Sequence, residues 1–123
     1  MMTLRRVVWV GSSRDDLRKF SKPVRRFFGR AIFRAQQGLK HPKAKPLKGF
    51  GGAGVLEIVA DVEGDTYRAI YTVKLADFIY VLNCFQKKAN RGAITPKREI
   101  ELVRDRLALA EADYAKRQTL RRS

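Results

Sequence analysis

The chain has 123 residues, 27 of them Lys or Arg and 12 Asp or Glu, a formal net charge of +15. That length holds one domain and excludes a two-domain cofactor enzyme, and a hydrophobic fraction of 45% excludes a disordered polycation. No apolar run reaches the roughly 18–20 residues that span a bilayer, no signal peptide is read at the start, and a lone cysteine, Cys84, suits a reducing cytoplasm.

Residues 6–10 (RVVWV) are β-branched and aromatic and predict a strand. Ser13 with Asp16 three residues later resembles a capping box, so a short helix is expected there with Leu17 and Phe20 inward. A second helix is expected over about 22–37, with Ser21 as cap and Pro23 in its first turn. Val24, Phe27, Phe28, Ala31, Ile32 and Ala35 recur on one face of it. Arg26, Arg30 and Arg34 stack on the other face, and Gly38 supplies the stop. Residues 39–54 read as a basic loop rich in lysine, glycine and proline. Strands are predicted over 55–61, 66–73 and 78–87, separated by turns at Glu63-Gly64-Asp65 and Leu75-Ala76-Asp77, which makes a meander. Thr95 followed by Pro96 predicts the cap of a helix over about 97–116 with Ile100, Val103 and Leu107 inward, and residues 121–123 are expected to fray. The order β-α-α-β-β-β-α predicts an α+β domain over residues 1–118, a small mainly antiparallel sheet with helices packed on one face, and a basic tail at 119–123.

The charge is unevenly divided. Residues 1–50 carry 14 Lys+Arg and 2 acidic residues, residues 51–95 carry 5 and 5, and residues 96–123 carry 8 and 5. A one-sided basic field of this size attracts polyanions, nucleic acid above all, although a solvated face has the same composition. Most enzyme chemistries lack their residues. His41 is the only histidine, and no Cys/His cluster has zinc-ligand spacing. The glycines Gly49, Gly51, Gly52 and Gly54 lead into a strand rather than a helix and match no phosphate loop. Cys84 reads as a small buried residue.

What remains is a group in the last two strands: Tyr67, Arg68, Tyr71, Asn83, Phe85, Lys87 and Lys88. Arg68 interrupts an otherwise apolar and aromatic strand. With a turn near Ala76, Arg68 is expected opposite Asn83, with Phe85 and Lys87 on the same face and Tyr67 and Tyr71 on the other. A guanidinium forks onto phosphate oxygens and an aromatic ring stacks on an exposed base. Together they can position RNA for attack of its own 2′-hydroxyl on the adjacent phosphate, with no metal, cofactor or histidine. The same spacing also fits basic residues that line a sheet rim, and the pattern alone leaves both open.

At these residues the sequence resembles the phage-derived branch of the RelE/HigB-like toxins of type II toxin–antitoxin modules. The resemblance runs over roughly residues 5–110 and is carried by Leu56–Ile58, by Tyr67, Arg68 and Tyr71, by Phe85–Lys88 and by Thr95-Pro96. It implies a compact RelE-like fold, a cytoplasmic location away from the membrane, and an mRNA endonuclease that works on the ribosome and inhibits translation. It also implies a cognate antitoxin, commonly a small helix-turn-helix DNA-binding protein, in a toxin–antitoxin hetero-oligomer. Carried over, Arg68 contacts the scissile phosphate, Lys87 and Lys88 add phosphate contacts or acid–base function, and Tyr71 supports the site. Phe85 stacks on a base, with Tyr67 and Asn83 as further RNA contacts. Relatives of this branch carry His where this chain has Asn83, which can hydrogen-bond but cannot titrate. Arg26, Arg30, Arg34, Lys45 and Lys48 are then expected to bind ribosomal RNA. The alternative is a non-catalytic nucleic-acid-binding or regulatory protein on the same fold.

Overall fold

The computed structural model describes residues 3–51, 54–87 and 95–122. In chain order they form β1 (Arg6–Trp9), α1 (Ser13–Arg18), α2 (Lys22–Gln36), β2 (Lys45–Pro46), β3 (Val55–Val62), β4 (Asp65–Thr72), β5 (Phe78–Lys87) and α3 (Lys97–Arg122). One five-stranded sheet has the order β1-β5-β4-β3-β2. The meander β3-β4-β5 is antiparallel as expected, and β1 adds to its edge in parallel with β5. The fold is therefore α+β on a mixed sheet.

The expectation that all helices share one face does not hold. Alternation along the strands divides the core in two. Leu56, Ile58, Ala69, Tyr71, Ile79, Val81 and Cys84 pack with Val24, Phe28, Ala31, Ile32 and Ala35 of α2 and Leu17 of α1. Val55, Ile70, Phe78, Tyr80 and Leu82 pack with Val103 and Ala110 of α3 on the other side. A central strand such as β5 is apolar on both faces and needs a helix on each. Each fully buried side chain of the size of Phe28 or Ile79 contributes about 1.5–3 kcal/mol, so both layers are needed to hold the sheet.

Local details also differ. The residue that precedes α1 is Ser12, whose hydroxyl bonds Asp16 Oδ2 at 2.7 Å, whereas Ser13 is buried and donates to the Val81 carbonyl at 3.0 Å. The basic loop contains β2, a two-residue edge strand pairing Lys45 with Glu57 and Pro46 with Leu56. Helix α3 runs to Arg122 rather than ending near Lys116, so the expected tail is its last turn, and Arg121 pairs with Asp77 at 3.0 Å.

The register of β4 and β5 decides where the chemistry stands. Arg68 faces Phe85 and Ile70 faces Asn83, but Tyr71 faces Val81, so Leu82 is an extra residue in β5. Such a bulge shifts the alternation by one. Phe78, Tyr80 and Leu82 point toward α3, and beyond the bulge Asn83 and Phe85 do so as well. Arg106 of α3 reaches the bulge, donating to the Leu82 carbonyl at 2.9 Å and to Ser12 Oγ at 3.0 Å. Gly11 makes room for that guanidinium: its φ is +58°, and a Cβ would lie 2.7 Å from Arg106 Nε.

Candidate active site

On the α3 face of the sheet, β3 and β4 bring Glu57 and Arg68 together. Arg68 Nη1 lies 2.9 Å from Glu57 Oε1, and the two side chains are 4% and 14% exposed. Thr95, just before α3, donates to Glu57 Oε2 at 2.5 Å and accepts from Arg68 Nη1 at 3.4 Å. Beside them Asn83 Nδ2 donates to Glu99 Oε1 of α3 at 3.1 Å. A guanidinium in so little water requires a counter-charge, and Glu57 supplies it. Arg68 Nε remains buried without a hydrogen-bond partner among the described residues.

The expected register was two residues off: Arg68 stands opposite Phe85, and Asn83 opposite Ile70. A shift of two preserves the face, so Arg68, Asn83, Phe85 and Lys87 do lie on one side. Phe85 is half-buried against the α3 layer, and Lys87, opposite Thr66, is buried. Lys45 on β2 is exposed and in register with Glu57, at the rim of the same face. Lys88 lies outside the described residues.

The other expected site residues stand elsewhere. Tyr71 is buried in the α2 layer on the opposite face of the sheet, because β4 alternates strictly through it. Its hydroxyl has no partner among the described residues, and burial pushes its pKa up to about 12. Tyr67 is on that side too, its ring 5.0 Å from Phe20. Arg26, Arg30 and Arg34 are exposed on the outside of α2, and Lys48 is exposed between β2 and β3. The structure therefore separates a compact cluster around Arg68 from a cationic surface behind the sheet.

Three residues of the cluster are absent from the sequence-based list. Glu57 interrupts the apolar run of β3 as Arg68 interrupts β4, and its alternation with Val55 and Val59 is the signal that finds it. Thr95 and Glu99 carry no such signal, since only the packing of α3 brings them to the sheet.

Neither His41 nor Cys84 is set up as a nucleophile or base at this site. Burial and the cations Arg34, Lys43 and Arg30 hold the His41 pKa below its usual value, and its Nδ1 accepts from the Lys43 amide at 3.0 Å. Burial, with the Asp16 carboxylate adding to it, pushes the Cys84 thiol up to about 12. Among the described residues no group of three or more His, Cys, Asp or Glu side chains is placed to hold a metal ion.

Comparison with known proteins decides the family. The model of the phage-derived protein Gp49-like family matches residues 15–108, most of the chain. The chain belongs to the Gp49-like family. The Gp49-like family is a RelE-like toxin family. Among solved structures, a chain of the crystal structure of the toxin–antitoxin complex RelBE2 from Mycobacterium tuberculosis is similar at 20% identity. The match covers 72% of this Gp49-like chain and 98% of that one, with a TM-score of 0.46, a likeness from which no function is drawn. No curated protein matches significantly. No helix among the described residues is long and apolar enough to cross a membrane.

Proposed function

We propose that the protein is the toxin of a toxin–antitoxin module and acts as a metal-independent endoribonuclease on mRNA at the ribosome. The observation that carries this reading is the Arg68–Glu57 pair, on the sheet face that also bears Asn83, Phe85 and Lys87, in a Gp49-like chain. The pair has the two functions that RNA transesterification needs. Glu57 accepts the proton of a ribose 2′-hydroxyl. The 2′-oxygen then bonds to the adjacent phosphorus as the bond from phosphorus to the 5′-oxygen breaks, leaving a 2′,3′-cyclic phosphate and a 5′-hydroxyl. Arg68 stabilises the charge on the pentacoordinate phosphorus through its Nε donor, which has no hydrogen-bond partner among the described residues. Lys87 adds positive charge and protonates the leaving oxygen, and Phe85 stacks on the neighbouring base.

The pair is buried and the Thr95 hydroxyl bonds both members, so incoming RNA has to displace that hydroxyl to reach Glu57. That burial also favours the second reading, a nucleic-acid-binding protein in which the pair serves only the fold. Mapping transcript 5′ ends after induced expression separates the two. Cleavage within coding sequence by the wild type, abolished in a stably folded Glu57→Leu/Arg68→Met double variant, is the expected result. Growth arrest with intact transcripts, or cleavage that survives the double substitution, removes the catalytic reading. A cytoplasmic location and an antitoxin partner belong to the same proposal, and co-expression with the neighbouring gene product should restore growth.

A further inference from the structure

The outer side of α2, behind the sheet from Arg68, carries a second feature. A groove of about 360 Å³ is lined by Arg30, Phe33, Arg34, Gln37 and Leu39. Phe33 and Leu39 are 47% and 55% exposed, two large apolar side chains lining one groove. From Leu17 to Leu56 the sequence contains no Asp or Glu, and none of Arg26, Arg30 and Arg34 forms an ion pair among the described residues. By contrast, the groove between the start of β1 and the end of α3, lined by Leu4, Phe78 and Leu120, has its Arg117 and Arg121 paired with Asp113 and Asp77. Neither arginine that lines the α2 groove is paired among the described residues, whereas two of the three that line the other groove are.

We propose that this groove receives one unstacked nucleobase of a single-stranded RNA segment. The inference rests on the reading of the protein as an RNA-directed toxin and gives the RNA a contact remote from the site of cleavage. Each lining residue has a part in it. Phe33 is the stacking face and Leu39 the apolar contact that completes a slot for a planar ring. Gln37, whose side-chain amide makes no hydrogen bond among the described residues, offers a donor and an acceptor to a base edge. Arg26, Arg30 and Arg34 are spaced four residues apart, about 6 Å of helix rise each, a step close to that between successive phosphates of one strand.

An acidic amphipathic protein helix would match the charge equally well, but it needs a furrow of apolar residues along α2. The positions that share the face of Phe33 are Arg26, Gly29, Arg30 and Gln37, and none is a large apolar residue. Gly29 strengthens the case for a flat ligand. Glycine in a helix interior is unfavourable, and a Cβ there would meet nothing within 4 Å, so no neighbour demands it. Its absent side chain leaves the approach to the Phe33 ring open.

The test uses a short single-stranded RNA with methylated 2′-hydroxyls, which the proposed cleavage cannot cut, carrying a fluorescent 2-aminopurine base. Binding to the wild-type chain should quench the 2-aminopurine through stacking. Phe33→Ser should weaken binding roughly tenfold or more, the loss of one stacked base. Phe33→Tyr should retain affinity, and Gly29→Leu should weaken it without loss of helix by circular dichroism. Equal binding by wild type and the folded Phe33→Ser variant overturns the proposal. So does displacement of the RNA by a Glu/Leu amphipathic peptide whose own tighter binding requires Phe33, an outcome that gives the groove to a protein. If Phe33→Ser binds normally while cells still arrest and transcripts are cut, the groove proposal falls alone. If the groove binds RNA as described but the wild type never cleaves, the toxin reading falls and the groove stands.

Discussion

Replacing Arg68 alone should cost the protein much of its fold, and replacing Arg68 together with Glu57 should not. The pair is 4% and 14% exposed, so neither charge can turn to water when its partner is removed. Breaking a buried pair from one side costs about 3–5 kcal/mol, against about 5–15 kcal/mol for the whole stability of a small domain. At about 4 °C per kcal/mol for a chain of this size, Arg68→Met should lower the thermal midpoint by roughly 12–20 °C. Glu57→Gln leaves the guanidinium uncompensated and should fall in the same direction, by less where the amide still accepts from Thr95. The double variant Glu57→Leu/Arg68→Met removes both desolvation costs and should return close to the wild-type midpoint or above it, while remaining non-toxic. Thermal and urea unfolding of the wild type, Arg68→Met, the matching single variant Glu57→Leu and the double variant by far-UV circular dichroism closes the cycle and yields the coupling directly. If Arg68→Met is as stable as the wild type, or the double variant is as unstable as the singles, the reasoning about a buried compensated pair is wrong. Toxicity of the single Arg68 variant cannot be interpreted without these measurements.

Tyr71→Phe removes a buried hydroxyl that has no partner among the described residues, so it should stabilise the protein by about 1 kcal/mol and leave growth arrest unchanged. Loss of toxicity in that variant would return Tyr71 to the site. Replacing Arg26, Arg30 and Arg34 with Gln should preserve the unfolding midpoint and lower the slope of log affinity for single-stranded RNA against log salt by about 2, at roughly 0.7 per phosphate contact. The Cys84 thiol, pushed up to about 12 by burial, stays neutral in the fold at pH values where an unfolded thiol at about 8.5 ionises. Stability linked to it is therefore complete below about pH 8.5 and declines as pH rises toward 12. Urea midpoints from pH 7 to 10.5 should fall more steeply for the wild type than for Cys84→Ala. Native Cys84 should also resist alkylation at pH 8.5, and rapid modification there would contradict its burial.

The parts of this molecule that the sequence made legible are those whose signal is local. Helix α2 and strands β3, β4 and β5 lie within about two residues of their expected bounds, because a two-sided helix and short turn-bounded β-branched runs leave little choice. What the sequence withheld depends on long-range packing. The parallel pairing of β1 with β5 joins residues about seventy apart, and β2 is a two-residue edge inside a loop rich in turn residues. Helix α3 hides its destination: Ile100, Val103, Leu107, Ala110 and Tyr114 form one stripe that packs on the sheet, but their spacing does not say which face of the sheet it covers. For the candidate site, alternation was enough to group Arg68 with Asn83, Phe85 and Lys87 and to part them from Tyr67 and Tyr71. It could not supply Thr95 and Glu99, which reach the cluster only through the packing of α3.

The extra residue at Leu82 has a genetic consequence. Deleting that single codon would remove the bulge: Tyr71 faces Val81 and Ile70 faces Asn83, so Val81 and Asn83 would become neighbours in an unbroken alternation. Asn83, Phe85 and Lys87 would stay on the side of α3 and Cys84 on the side of α2, because the pairing before and after the bulge is already in phase. What the deletion would take away is the Leu82 carbonyl that accepts from Arg106, one of the ties between β5 and α3. A sequence comparison that slides β5 by one position would, by contrast, put Cys84 or Gln86 where the molecule keeps Phe85.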